Sequence, residues 1–255
     1  MPGGSGAVAI ASVIAKRKAD TNLIVAASNA LTFTVALGRT PHTYKDVVPL
    51  AQIGAEIGGF FVTADSKYKT LADMIAALKA DPKSVTFAGG SAPGGQDHMK
   101  VALFAKAIGV EPTKVVYVPF QGGGEALTSM LGGHTEVGAL DLSEASGQLE
   151  AGKIRCLGVL SNKRSTKFKD IPTSYEQNVK ATFPIWRGLY MAPGVPAVGS
   201  SSPRSVSAAT AWPKWWRSRR SSRSSGAAAS RSRRFTSRTF ARPSHPPSRG
   251  GSPAS

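Results

Sequence analysis

Between Val85 and Phe104 the chain reads VTFAGGSAPGGQDHMKVALF: a strand-forming run, four glycines around one serine, then a helix-forming run. A glycine-rich turn that opens a helix presents unpaired backbone N–H groups at the positive end of the helix dipole, which suits anion binding. A phosphate loop of the GxxxxGK[ST] type needs a lysine and then a hydroxyl residue after its last glycine. Gly90 and Gly95 have the right separation, but Gln96 and Asp97 stand where those two residues belong. The GxGxxG pattern of dinucleotide loops fails here too. A carboxylate asks for neither lysine nor magnesium. Ser91 adds a hydroxyl donor. Asp97, in the first helical turn, suits the dipole but repels an anion beside it, so the anion belongs nearer the Ser91 to Gly95 span. One helix N-terminus contributes about 0.3–1 kcal/mol and one charge-assisted hydrogen bond about 1.5–3, against about 8 for micromolar binding. A single loop falls short of that; two or three loops closing on one solute reach it, which asks for a cleft between lobes.

Catalytic and metal-binding constellations are sparse. None of His42, His98, His134 and His245 lies at metal-ligand spacing from another His or from Cys156. Ser91 lacks the G-x-S-x-G setting of a nucleophile elbow. The residues therefore read as holding no metal and no cofactor. His98 follows the loop and either supports it or hydrogen-bonds a solute. Asp141, in GALDLS, ends a strand, where it caps a neighbouring loop or touches the solute. Ser28 and Asn29 hold the same topological place after NLIVAA, with the same two options. Cys156 reads as an inert core thiol, and Trp186 and Tyr190 as core aromatics.

The elements that must position these residues alternate. Apolar spacing predicts helices over 7–18 and 70–80, and a helix from Asp97 to Ile108. Thr70 and Asp73 read as a capping box. Strands are predicted at 22–28, 47–55, 58–64, 114–120, 135–142 and 154–161, with one more inside 183–193. QGGGEALTSMLGG is a second glycine turn leading into a helix. The strands are nearly continuous apolar runs, as in parallel sheets covered on both faces, whose ligands sit at the carboxyl ends of strands. The loops at 2–6, 89–95 and 122–124 occupy that position.

The 255 residues carry a net charge of +17, unevenly spread. Residues 197–255 hold 11 Arg and 1 Lys and no acid, which makes +12, and the first 196 residues carry +5. No apolar run approaches the ~20 residues of a membrane span. The run AVAIASVI has its basic KRK after it, the wrong order for a signal peptide. The glycine loop at 2–6 has no strand before it, so the chain is expected to begin inside a β-α unit.

The order of these motifs is similar to a known family. NLIVAASNALT, VVPLAQIG, VTFAGGSAPGGQD, VPFQGGGEAL, LEAGKIRCLGVLSNKR with its trailing DIPT, and GLYMAPGVP run in order through residues 2 to 196. Together they resemble the receptors of tripartite tricarboxylate transporters, the Bug-type periplasmic solute-binding proteins. The resemblance implies an α/β, two-lobed, periplasmic-binding-protein-like fold of type II (a venus flytrap) without catalysis. It implies a small carboxylate as solute, membrane permease subunits as partners, a monomer and a periplasmic location. It places one lobe at 1–84 with 183–196 and the other at 85–182. Carried over, the ligand loops fall on Ser28, Asn29 and Ala30; on Ser91, Ala92, Gly94, Gly95 and Gln96; on Phe120, Gln121 and Gly122; and on Asp141.

The chain departs from that pattern at both ends. Signal peptide, first strand and proline-glycine loop are expected to be missing, which leaves the first lobe incomplete and the chain cytoplasmic as written. After GLYMAPGVP come 17 Ser and 11 Arg among 59 residues, with no Leu, Ile, Asp, Glu, Asn or Gln. That composition predicts a disordered basic tail, and its sharp onset suggests an out-of-frame reading of a GC-rich gene. Two other functions stay open: an α/β enzyme acting on a small carboxylate, and a nucleic-acid binder using the tail with Trp212, Trp215 and Trp216.

Overall fold

A computed structural model describes residues 6–196. The expectations for residues 2–5 and for the 197–255 tail lie outside the described residues. Along the chain run α1 (Ala7–Lys16), β1 (Ile24–Ser28), α2 (Ala30–Ala36), β2 (Val48–Thr63), α3 (Leu71–Ala80), β3 (Thr86–Gly89) and α4 (Gln96–Ala107). They are followed by β4 (Val116–Pro119), α5 (Gly123–Leu131), β5 (Val137–Asp141), α6 (Leu142–Glu150), β6 (Ile154–Val159) and β7 (Pro184–Met191). No described helix is long and apolar enough to cross a membrane.

Strand β2 organises the fold. The sequence suggests two strands broken near Glu56, but one 16-residue strand runs through. Its first half pairs antiparallel with β7, from Val48 opposite Met191 to Ile57 opposite Pro184. From Gly58 on it pairs with β5 on one side and β6 on the other, both antiparallel. The strand thus passes from a three-stranded sheet, β1-β7-β2, into a five-stranded one, β6-β2-β5-β3-β4. The all-parallel sheet expected from the apolar runs is corrected: among the named strands, parallel pairing is confined to β3–β4 and β3–β5, and β2 runs against every strand it pairs with. Full burial makes a strand uniformly apolar whichever way its neighbours run.

The glycine pair that looked like a break serves packing. A Cβ on Gly58 would lie 2.6 Å from Cδ of Lys100, whose side chain crosses the strand there. On Gly59 it would lie 2.9 Å from the carbonyl oxygen of Gly158 in β6.

Successive residues of β2 serve opposite faces of the larger sheet, as the two-residue strand period requires. Phe60 packs with Phe87 and Phe104, ring centroids 5.6 and 4.7 Å away, and with Leu71, Met74 and Leu78 of α3. Phe61 packs on the other face against Ala126 and Met130 of α5 and Ala145 of α6. Burying one such Phe is worth about 1.5–3 kcal/mol. Helix α3 begins where predicted: Thr70 Oγ1 accepts from the Asp73 N–H at 3.2 Å, and the Asp73 carboxylate accepts from the Thr70 N–H at 2.8 Å. Residues 58–80, grouped with the first lobe on sequence, pack against the larger sheet, because the chain changes sheets in mid-strand and no turn marks the boundary.

Candidate functional site

The C-terminal ends of β3, β4 and β5 lie together, and their loops are built against one another. A Cβ on Gly90 would collide with the backbone of Gly122 and Gly123, and one on Gly123 with the Glu144 carboxyl. Gly90 is therefore explained by backbone contact between loops, and Gly123 by the close approach of the Glu144 carboxyl. Glu144 accepts from the Asp141 N–H at 3.1 Å, and burial, reinforced by the Asp141 charge, pushes its carboxyl above the usual range.

Hydrogen bonds inside the Ser91–Gln96 loop account for several amides counted as ligand donors. Gly94 N–H donates to His98 Nδ1 at 2.8 Å, and Gly95 N–H to the Ala92 carbonyl at 2.7 Å. Asp97 N–H donates to Ser91 Oγ at 2.9 Å, and the Tyr117 hydroxyl to the Ser91 carbonyl at 2.7 Å. Arg39, beyond α2, donates to the Pro93 carbonyl. The amides of Gly94 and Gly95 thus shape the loop, while the Ser91, Ala92 and Gln96 amides have no partner among the described residues. His98 takes the loop-supporting role, which requires its proton on Nε2. Burial, with the nearby Arg39 charge, lowers its pKa below the ordinary histidine value.

Asp141 is a hub of charge. Its Oδ1 accepts from Lys100 Nζ at 2.5 Å, and its Oδ2 from Gln96 Nε2 at 3.1 Å and from Arg187 Nη2 at 2.6 Å. Lys100 also pairs with Asp97 at 2.7 Å and has no exposed side-chain surface. Burial alone would lower the Lys100 pKa, but Asp97 and Asp141 outweigh it and raise it. Arg187 bonds Glu56 as well, at 2.9 and 2.6 Å, and Glu56 accepts from the Ser143 N–H at 3.2 Å. Three carboxylates thus share two cations. A buried cation stripped of its acids would be destabilising, so the set is held as a unit.

Arg187 stands directly opposite Ser28 in the β1–β7 ladder. Both line a cavity of about 470 Å³ with Ala30, Leu31, Ile10 and Ile53. Ser28 Oγ accepts from the Ala30 N–H at 3.2 Å. Asn29 donates from Nδ2 to the Pro184 carbonyl at 3.4 Å, and its buried Oδ1 has no partner among the described residues. Of the anticipated residues, Gln96 and Asp141 meet directly, Ser28 and Ala30 join them through Arg187, and Gly122 touches Gly90. Gln121 N–H is taken by Glu125 at 3.1 Å. Phe120 lines a different cavity, of about 600 Å³, with Glu125 and His134. Sequence reasoning missed Arg187, Glu56 and Lys100. Arginine inside an otherwise apolar strand run, IWRGLYM, was the available signal for Arg187.

Two sheets joined by a shared strand, with strand-end loops and a charged hub where they join, form the scaffold that this chain shares with solved solute-binding proteins of the TctC type. The match of residues 2–200 to the tripartite tricarboxylate transporter family receptor model places this chain in that family. The family is one of solute-binding receptors, not enzymes. Protein BugT of Bordetella pertussis is 30% identical over 177 residues, 68% of this chain and 53% of BugT. A TctC solute-binding protein from Polaromonas, solved without ligand, is 29% identical with a TM-score of 0.58, over 76% of this chain and 65% of that one. Rpa4515 of R. palustris, solved with adipate, is 26% identical with a TM-score of 0.67, over 76% and 64%. The chain thus spans about half to two-thirds of the length of these relatives.

Proposed function

We propose that this chain captures a small carboxylate where its two sheets join and delivers it to the membrane subunits of a tripartite tricarboxylate-type transporter. It acts in the periplasm, as a monomer. The observation that carries this reading is the gathering of strand-end loops around the Gln96–Asp141–Arg187 contact, with the Ser91, Ala92 and Gln96 amides lacking partners among the described residues. Free amides at the start of a 12-residue helix favour a carboxylate. The adipate held by Rpa4515 supports the same class of solute. Ser28, Asn29 and Ala30 contribute from the junction of β1 and α2, and Gln121 and Gly122 from the loop between β4 and α5. Asp141 acts through Gln96 and Arg187, since both its oxygens are already bonded.

A thermal-shift and calorimetric screen with adipate, succinate and citrate tests the reading, with adipamide as an uncharged control. The expected result is binding of at least one acid and none of adipamide. Binding of the control equal to that of the acids would remove the carboxylate from the account.

A further inference from the structure

Glu56 is the chain's own carboxylate placed where a solute carboxylate would be well held. Its Oε2 takes two hydrogen bonds from the Arg187 guanidinium, at 2.6 and 2.9 Å, and its Oε1 takes the Ser143 N–H in the first turn of α6. A guanidinium fork and a helix-start amide are two strong recognition elements for a carboxylate. The two acids on Arg187 differ in how firmly they are held. Asp141 is 2% exposed and is also tied to Lys100 and Gln96, so it cannot leave. Glu56 is 16% exposed, its partner Arg187 is 37% exposed, and Arg187 borders the cavity shared with Ser28 and Ala30. Arg187 Nη1 makes no hydrogen bond to a described residue, so the guanidinium can begin to receive a solute carboxylate before releasing Glu56.

We infer that Glu56 is an internal stand-in for the solute: a solute carboxylate displaces it from Arg187 and the Ser143 amide, and Glu56 turns to solvent. This rests on the receptor reading above. The exchange keeps the charge on Arg187 constant, replacing one carboxylate with another. It makes Glu56 a determinant of affinity, because every solute must outcompete it, and it sets a threshold favouring acids that bring a second anchoring group to the loop amides over simple monocarboxylates.

Adipate and acetate binding is compared calorimetrically in the wild-type chain, Glu56→Gln and Arg187→Gln. The expected result is adipate binding about tenfold tighter in Glu56→Gln, the worth of one charge-assisted hydrogen bond no longer contested, with acetate gaining by the same factor because both displace the same carboxylate. Arg187→Gln should lose adipate binding. Should Glu56→Gln not fold, 13C NMR of the glutamate side-chain carboxyls in the wild type supplies the same answer, with the Glu56 signal moving to its water-exposed position as adipate is added. If adipate binds the wild type but Glu56→Gln binds it equally or more weakly, or the Glu56 signal stays fixed, the stand-in role is wrong and the receptor reading survives. If neither adipate nor any screened acid binds the wild type, both fall together.

Discussion

The two halves of β2 belong to one covalent strand and live in different environments. Phe60, Phe61 and Val62 are wholly buried, whereas Ile53, seven residues earlier, is 63% exposed. The larger sheet has helices on both faces, α3 and α4 over one and α5 and α6 over the other. In the smaller sheet Ile24 of β1 is 55% exposed, and the neighbouring helices leave Val8 and Leu37 nearly half exposed. Apolar sequence alone therefore does not make a core; a second layer does. Stability is concentrated in the larger sheet, and the charged hub lies at the edge of that dense region, where Arg187 reaches in from the sparse one.

This contrast can be broken most directly at Lys100. Lys100→Met leaves buried Asp97 without a cation and Asp141 with Arg187 alone, and should cost about 3–5 kcal/mol in urea unfolding. The wild-type ammonium has a raised pKa, so its contribution is complete below the ordinary lysine value and is lost as pH rises through the higher folded value. A Lys100→Met stability curve parallel to the wild type at alkaline pH would refute the linkage. Phe60→Ala opens a cavity between two aromatic neighbours and should cost about 3–5 kcal/mol, against about 0.5 or less for Ile53→Ala in the exposed half of the same strand. Equal losses at the two positions would abolish the distinction between the sheets.

Smaller effects sharpen the picture around the loops. Gly90→Ala pushes a methyl into the Gly122–Gly123 backbone and should cost about 1–3 kcal/mol while prising the two loops apart, detectable as faster amide exchange in both. His98 is a gentler probe. Its pKa is lowered, first by burial and then by Arg39, so the stability tied to its neutral form is present above the ordinary value near 6.5 and lost as pH falls through the depressed one. Protonation also removes the acceptor of the Gly94 N–H. Exchange at the Gly94 amide, corrected for intrinsic pH dependence, should quicken in mildly acidic solution, by about 1 kcal/mol or less of local opening. The same pH series in His98→Phe should show no such step.

Much of the fold was legible because its signals are local. The Thr70–Asp73 box, the apolar spacing of Leu71, Met74 and Leu78, and the glycine turns before α4 and α5 are written within a few residues of where they act. The motif order through residues 2–196 carried the family, and the family model agrees. The short α2 was missed because seven residues give too little periodicity to read. The sheet-to-sheet passage at Ile57–Gly58 was missed because Gly58 and Gly59 looked like a break, while their smallness serves Lys100 and β6.

By itself, then, the sequence determined where helices and most strands lie and which loops open helices. Those properties depend on neighbours in the chain. Only the tertiary structure decided that Gly94 and Gly95 spend their amides on the loop itself, that Asp141 is bonded at both oxygens, and that Glu56 and Arg187, 131 residues apart, meet beside Ser143. Such pairings depend on which strands lie side by side, and in this chain a single strand changing partners in mid-course brings them about.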